Sequence, residues 1–236
     1  MERLAAKESL LLAFRDAGGF EALVTGKISD MQRIDVNERI VGLEGLNPAP
    51  RPTTSPYLEG QWKFEWFISG SPGLLAAQIV FERFPAALGN LCRSDVRIKD
   101  GYAKITANLN FLNSVESNFI LNSKLSVEGP LRMSEEYIEG IFESPKIREE
   151  SIPQQLKGAF DQANSTVQQL PVSIRDAAMS GFNFQGPSWT FQRLFLISYL
   201  DDEIMIARST AGVPEVLTRL DPGPSVVVKP ITEYES

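Results

Sequence analysis

The 236 residues carry 43% hydrophobic and 22% charged side chains, the make-up of a globular protein rather than a disordered or fibrous one. A formal net charge of −7, with no basic run, argues against nucleic acid as a partner and weakens attraction to anionic membranes. Histidine is absent, which removes Ser-His-Asp and Cys-His triads, imidazole bases and every His-ligated metal site.

Cys92 is the single cysteine and forms no intramolecular disulfide, which points to a reducing compartment or a fold that needs no bridge. No stretch reaches the roughly 18 consecutive apolar residues of a membrane span. The start, MERLAAKESLLLAF, has acidic residues in its first turns and reads as neither a secretory signal nor a transit peptide. The expectation is a protein that stays where it is made, or a sequence that begins after a removed leader.

Glu2 to Arg15 reads as an amphipathic helix on Leu4, Ala5, Leu11, Leu12 and Phe14, stopped by Ala17-Gly18-Gly19. A second helix is expected over Ser29 to Leu46, capped by Ser29 or Asp30, with Ile34, Ile40, Val41 and Leu43 as its apolar side. Residues 1–46 thus form a helical hairpin. Residues 47–57, rich in proline, are a linker that can be neither helix nor central strand.

The period then changes to two. In GQWKFEWFIS, Trp62, Phe64 and Trp66 alternate with Lys63 and Glu65, as a half-exposed strand requires. Leu75 to Phe84 is a further strand candidate. Val96–Lys99 and Tyr102–Leu109 flank Asp100-Gly101, a strong hairpin signal. Phe119–Val127 and Leu131–Phe142 continue the series, and such spacing favours an antiparallel barrel or sandwich. From Pro153 to Leu170 the stripe Leu156, Phe160, Val167, Leu170 predicts one inserted helix, either buttressing the sheet or acting as a lid or partner helix. Strand character returns over Trp189 to Leu200, with Phe195 and Tyr199 on one face, and Glu203 to Arg208 is the return strand after Asp201-Asp202. The barrel is expected to end near residue 212, with proline-rich residues 213–236 as an extended tail.

Gly60-Gln61-Trp62 in the first strand, with Arg208 at the end of the last hairpin, resembles the lipocalin signature, in which the Trp packs under an Arg at the closed barrel end. The paired helices before it, the segment IVGLEGLNPAPRPT and the terminal YLDDEIMIARSTAG resemble the plastid-lipid-associated proteins, also called fibrillins or plastoglobulins, from about Leu4 to Gly212. The resemblance implies a lipocalin-like β-barrel in plastids, at plastoglobules, thylakoids or in the stroma, or in cyanobacteria. It also implies binding or organisation of prenyl quinones, tocopherols and carotenoids, and association with enzymes of that metabolism.

Three functions follow. A carrier of lipophilic molecules, with no cofactor and no metal, would line its lumen with Phe64, Trp66, Phe111, Phe119, Phe195 and Tyr199, leaving Gly60, Trp62 and Arg208 structural. A lipid-converting enzyme would need carboxylates such as Asp201-Asp202-Glu203, residues that a hairpin turn also selects. An adaptor would dock the 153–170 helix on a biosynthetic enzyme. The carrier is the reading adopted, the adaptor its alternative.

Overall fold

A computed structural model describes residues 1–67, 89–111, 115–143, 146–147, 182–184 and 192–222. Three α-helices, α1 (Glu2–Asp16), α2 (Gly19–Val24) and α3 (Asp30–Glu44), precede the sheet, and the stretch expected as a non-helical linker holds one 3-10 turn at Pro52–Thr54, begun by a proline whose missing N–H costs nothing at a helix start. Its strands are β1 (Gly60–Trp66), β2 (Gly89–Lys99), β3 (Tyr102–Phe111), β4 (Val115–Val127), β5 (Arg132–Phe142), β6 (Lys146–Ile147), β7 (Phe182–Phe184), β8 (Gln192–Leu200), β9 (Ile204–Ser209) and β10 (Pro214–Arg219). All pairings are antiparallel. β1–β2–β3–β4–β5–β8–β9–β10 closes on itself through β10 and β1, an eight-stranded barrel, while β6 and β7 lie beside β4 and β5. Closure removes the exposed edges that an open sheet of this length would present. The stretch from Leu75 to Phe84 and the helix expected over 153–170, with Leu156, Phe160, Val167 and Leu170, lie outside the described residues.

The closing strand corrects the expected boundary at residue 212. The prolines that made the tail look extended do not forbid a strand: Pro214 is its first residue, where a missing N–H is tolerated, and residues 215–219 follow without another. Likewise the helical region holds a short α2 that the Gly18-Gly19 stop signal hid, with both glycines at positive φ.

Two packed layers result. The lumen holds Trp62, Phe64, Ile105, Leu109, Phe119, Leu121, Ile197, Met205 and Leu217. Outside, Leu10, Ala13 and Phe14 of α1 and Val36, Ile40 and Leu43 of α3 cover Trp66, Tyr199, Ile204, Ile206 and Val216. Leu4, Leu12, Ile34 and Val41, expected on the buried stripes, are exposed instead. Of the two expected caps, Ser29 is the one that starts α3, in a capping box with Gln32. At its other end Glu44 anchors the helix, accepting from Arg208 Nε at 2.6 Å and from the Ser198 hydroxyl.

This placement corrects the role given to Arg208. The cation over Trp62 is Arg219 of β10, its guanidinium 4.2 Å from the ring, while Arg208 ties β9 to α3. Arg219 donates to the carbonyl oxygens of Tyr57 and Glu59 and to Asp221, and the Trp62 indole N–H donates to Leu58 O at 3.1 Å. Gly60 lies under this cap with φ +147, and any Cβ there would overlap Arg219 Nη1. Gly60→Ala is therefore expected to cost about 1–3 kcal/mol through strain and displacement of Arg219. Urea unfolding checks it, with Gly212→Ala, strained in φ but without a neighbour within 4 Å, as the milder control.

Candidate binding site in the barrel lumen

Strand alternation decides which side chains face the lumen, and bulges decide where the alternation reverses. In β1 the register runs Phe64↔Leu217 and then Trp66↔Val216, so Glu65 is the extra residue. Trp62 and Phe64 point inward before the bulge; after it Trp66 points outward and stacks on Phe14 at 5.6 Å, and Phe67 turns in. In β8 the step from Ile197↔Ala207 to Tyr199↔Ile206 makes Ser198 the extra residue. Phe195 and Ile197 face the lumen, Tyr199 faces the helices and Leu200 returns inward.

Of the six aromatic residues expected to line the lumen, Phe64, Phe119 and Phe195 belong to the lumen cluster. Trp66 and Tyr199 do not: each is displaced to the outer layer by a bulge one residue before it. Phe111 ends β3, and its side chain lies outside what is described.

Sequence reasoning missed the polar part of the lumen. Arg193 Nε donates to Glu135 Oε2 at 2.8 Å, and its Nη1 and Nη2 donate to Glu215 Oε1 and Oε2 at 2.8 and 3.3 Å. Ser123 donates to Glu135 Oε1 at 2.7 Å and Tyr137 to Oε2 at 3.3 Å. The Glu135, Glu215 and Arg193 side chains are only 3%, 5% and 15% exposed. The guanidinium lies 4.8 Å from the Phe195 ring centre. Burial pushes the Glu215 carboxyl above its ordinary value, against the opposing pull of Arg193. Burial also raises the Tyr137 phenol, the negative charge of Glu135 adding to it, so Tyr137 enters the network as a donor. The signal was present in the sequence: Arg193 and Phe195, and Glu135 and Tyr137, share the inward parity of their strands.

The cluster borders a cavity of about 40 Å³ whose other walls are apolar, among them Phe64, Ile105, Met133, Phe195, Met205 and Leu217. That is room for only a few water molecules, so side chains fill most of this part of the lumen. Ser94 also faces inward by its register with Ala107, is fully buried, and its hydroxyl has no partner among the described residues.

Of the acidic cluster weighed as a catalytic group, Asp201 is committed to the β8–β9 turn, whereas the Glu203 side chain is exposed. Asp201 Oδ1 accepts from the N–H groups of Glu203 and Ile204 at 2.9 and 2.8 Å, and Oδ2 accepts from the Tyr199 hydroxyl at 2.6 Å. Lys7 of α1 pairs with Asp201 at 3.0 Å and with Glu203. Burial works against the Asp201 charge, but these hydrogen bonds outweigh it and hold the carboxyl below its ordinary value. A depressed folded value means the stabilisation is complete above the unfolded value and is lost as pH falls through the folded one. Asp201→Asn keeps the turn acceptor and loses the charge, so it should cost about 1–3 kcal/mol at neutral pH. Unfolding curves taken across the acid range should converge for the two proteins. A gap that stays constant would show that the charge does not contribute.

Among the described residues no helix is long and apolar enough to cross a membrane, and no group of three or more Cys, Asp or Glu is placed to hold a metal.

Residues 6–218 match the family model PAP_fibrillin. The chain is 63% identical over its full length to the probable plastid-lipid-associated protein 13, chloroplastic, of Arabidopsis thaliana, spanning 78% of that protein. It is 62% identical over 94% of its length to the probable plastid-lipid-associated protein 9, chloroplastic, of the same plant, spanning 71% of it. A more distant relative, 26% identical over 82% of this chain and 63% of its own length, is the chromoplast-specific carotenoid-associated protein C1 of an Oncidium hybrid cultivar. With a closed eight-stranded barrel, a Trp capped by an Arg where β1 meets the closing strand, and a family match over nearly the whole chain, this protein belongs to the PAP/fibrillin family.

Proposed function

We propose that this protein binds and organises lipophilic molecules in plastids, at plastoglobules or thylakoids, without converting them. Prenyl quinones, tocopherols and carotenoids are the ligand classes. The observation that carries this reading is the lumen: an apolar wall around a closed barrel, with its charged groups gathered in one buried cluster, is the composition that holds an apolar molecule in a fixed orientation. Met133 and Met205 line the cavity, and their unbranched, flexible side chains let the space enlarge when a ligand enters. The names of the relatives, lipid-associated and carotenoid-associated, support the same class. The non-enzymatic part rests on the absence of histidine and on Asp201, whose hydrogen bonds commit it to the turn. The chloroplastic and chromoplastic designations of the relatives support the plastid setting.

The test is to incubate the protein with a chloroplast lipid extract, re-isolate it and analyse bound lipids by mass spectrometry. A prenyl lipid retained near one per chain supports the reading. Protein recovered empty, with each lipid class offered singly as well, contradicts it.

A further inference from the structure

Resting on the lumen as the binding site, we infer that it selects neutral lipids headed by a hydroxyl group and discriminates against fatty-acid-type anions. The balance of donors and acceptors around the cavity sets this preference. One guanidinium, Arg193, serves two carboxylates, Glu135 and Glu215, and among the described residues these three are the charged ones bordering the cavity. The donors of the cluster point at carboxylate oxygens, three N–H groups of Arg193 and the hydroxyls of Ser123 and Tyr137, with the Ala103 carbonyl oxygen a second, longer acceptor for Ser123 at 3.4 Å.

An anionic head would bring a third negative charge into a poorly solvated site whose cation is already shared. A hydrocarbon or an ether leaves the acceptors as they are. A hydroxyl complements them on both counts. Each Glu215 oxygen accepts one hydrogen bond here and has capacity for a second. A guanidinium has five N–H groups, of which Arg193 uses three, leaving donors for the hydroxyl oxygen. Ser94, buried with an unpartnered hydroxyl and facing the same lumen by register, shows that the interior retains polar capacity beyond this cluster.

Three probes with the same tail separate the possibilities: 1-hexadecanol, its methyl ether and palmitic acid, each presented in radiolabelled form and measured by equilibrium dialysis at neutral pH. The alcohol should bind at least about tenfold more tightly than the other two, the scale of one hydrogen bond to a charged acceptor. The same series is run on Glu135→Leu/Arg193→Met/Glu215→Leu, in which the whole cluster becomes apolar, a replacement that costs a buried ion network less than loss of one partner. There the preference for alcohol over ether should vanish while tail binding remains. Equal binding of all three probes to the unaltered protein overturns the selectivity and leaves lumen binding intact. Preference for the acid overturns it by making Arg193 an anion anchor. Preference for the alcohol that persists in the folded triple variant removes the cluster as its cause. Failure of every probe to bind counts against lumen binding itself.

Discussion

Trp62→Ala should lower stability by about 3–5 kcal/mol, the largest loss expected from removing a single side chain from this protein. The ring is fully buried, at the point where the first strand pairs with both its neighbour in sequence and the strand that closes the barrel. Its removal takes away the lumen packing and the Leu58 hydrogen bond, and leaves Arg219 facing a void. The cation–π contact contributes about 0.5–2 kcal/mol of the total. Trp62→Phe, which retains a ring for Arg219 but not the N–H, should recover more than half of the loss. Thermal and urea unfolding of the two variants check this. A Trp62→Ala protein as stable as the unaltered one would contradict the barrel packing described here.

Arg193→Met is the second large effect, about 3–5 kcal/mol at neutral pH, because it strands two buried carboxylates with no counter-charge. The sign of its pH dependence is distinctive. Arg193 is what pulls the Glu215 carboxyl down against burial, so its loss raises that group further. A carboxyl raised in the folded state contributes stability below its unfolded value and loses it as pH rises through the folded one. The gap between variant and unaltered protein should therefore be small near about pH 4.5 and widen towards about pH 7.5. A pH-independent gap would mean that lost packing, rather than stranded charge, accounts for the cost. The triple apolar replacement should stay close to the unaltered protein at both values.

What the sequence revealed and concealed follows one physical line. Period-two patterning places Trp62 and Phe64 inside correctly, and Asp100-Gly101 forms the expected turn, with φ of 52° and 76°. The same patterning assigns Trp66 and Tyr199 wrongly, since a bulge inserts one residue without leaving a compositional mark, and everything after it changes face. The Arg partner of Trp62 was displaced for a different reason. Arg208 ends a strand that looks terminal, and the true closing strand follows a proline that reads as a breaker. The polar cluster was overlooked because Glu135, Arg193 and Glu215 are scattered over 81 positions and each is ordinary on a strand that shows one face to water. Only closure of the barrel brings them together.

Entry of a ligand into the lumen is read most directly from the methionine methyl groups. Met133 and Met205 border the cavity, whereas Met31 lies on α3 and is 76% exposed. In protein labelled at methionine methyl carbons, titration with 1-hexadecanol followed by heteronuclear NMR should shift the Met133 and Met205 signals in a saturable way and leave Met31 unmoved. Shifts confined to Met31, or saturable binding that leaves both lumen methionines in place, would contradict a ligand held inside the barrel.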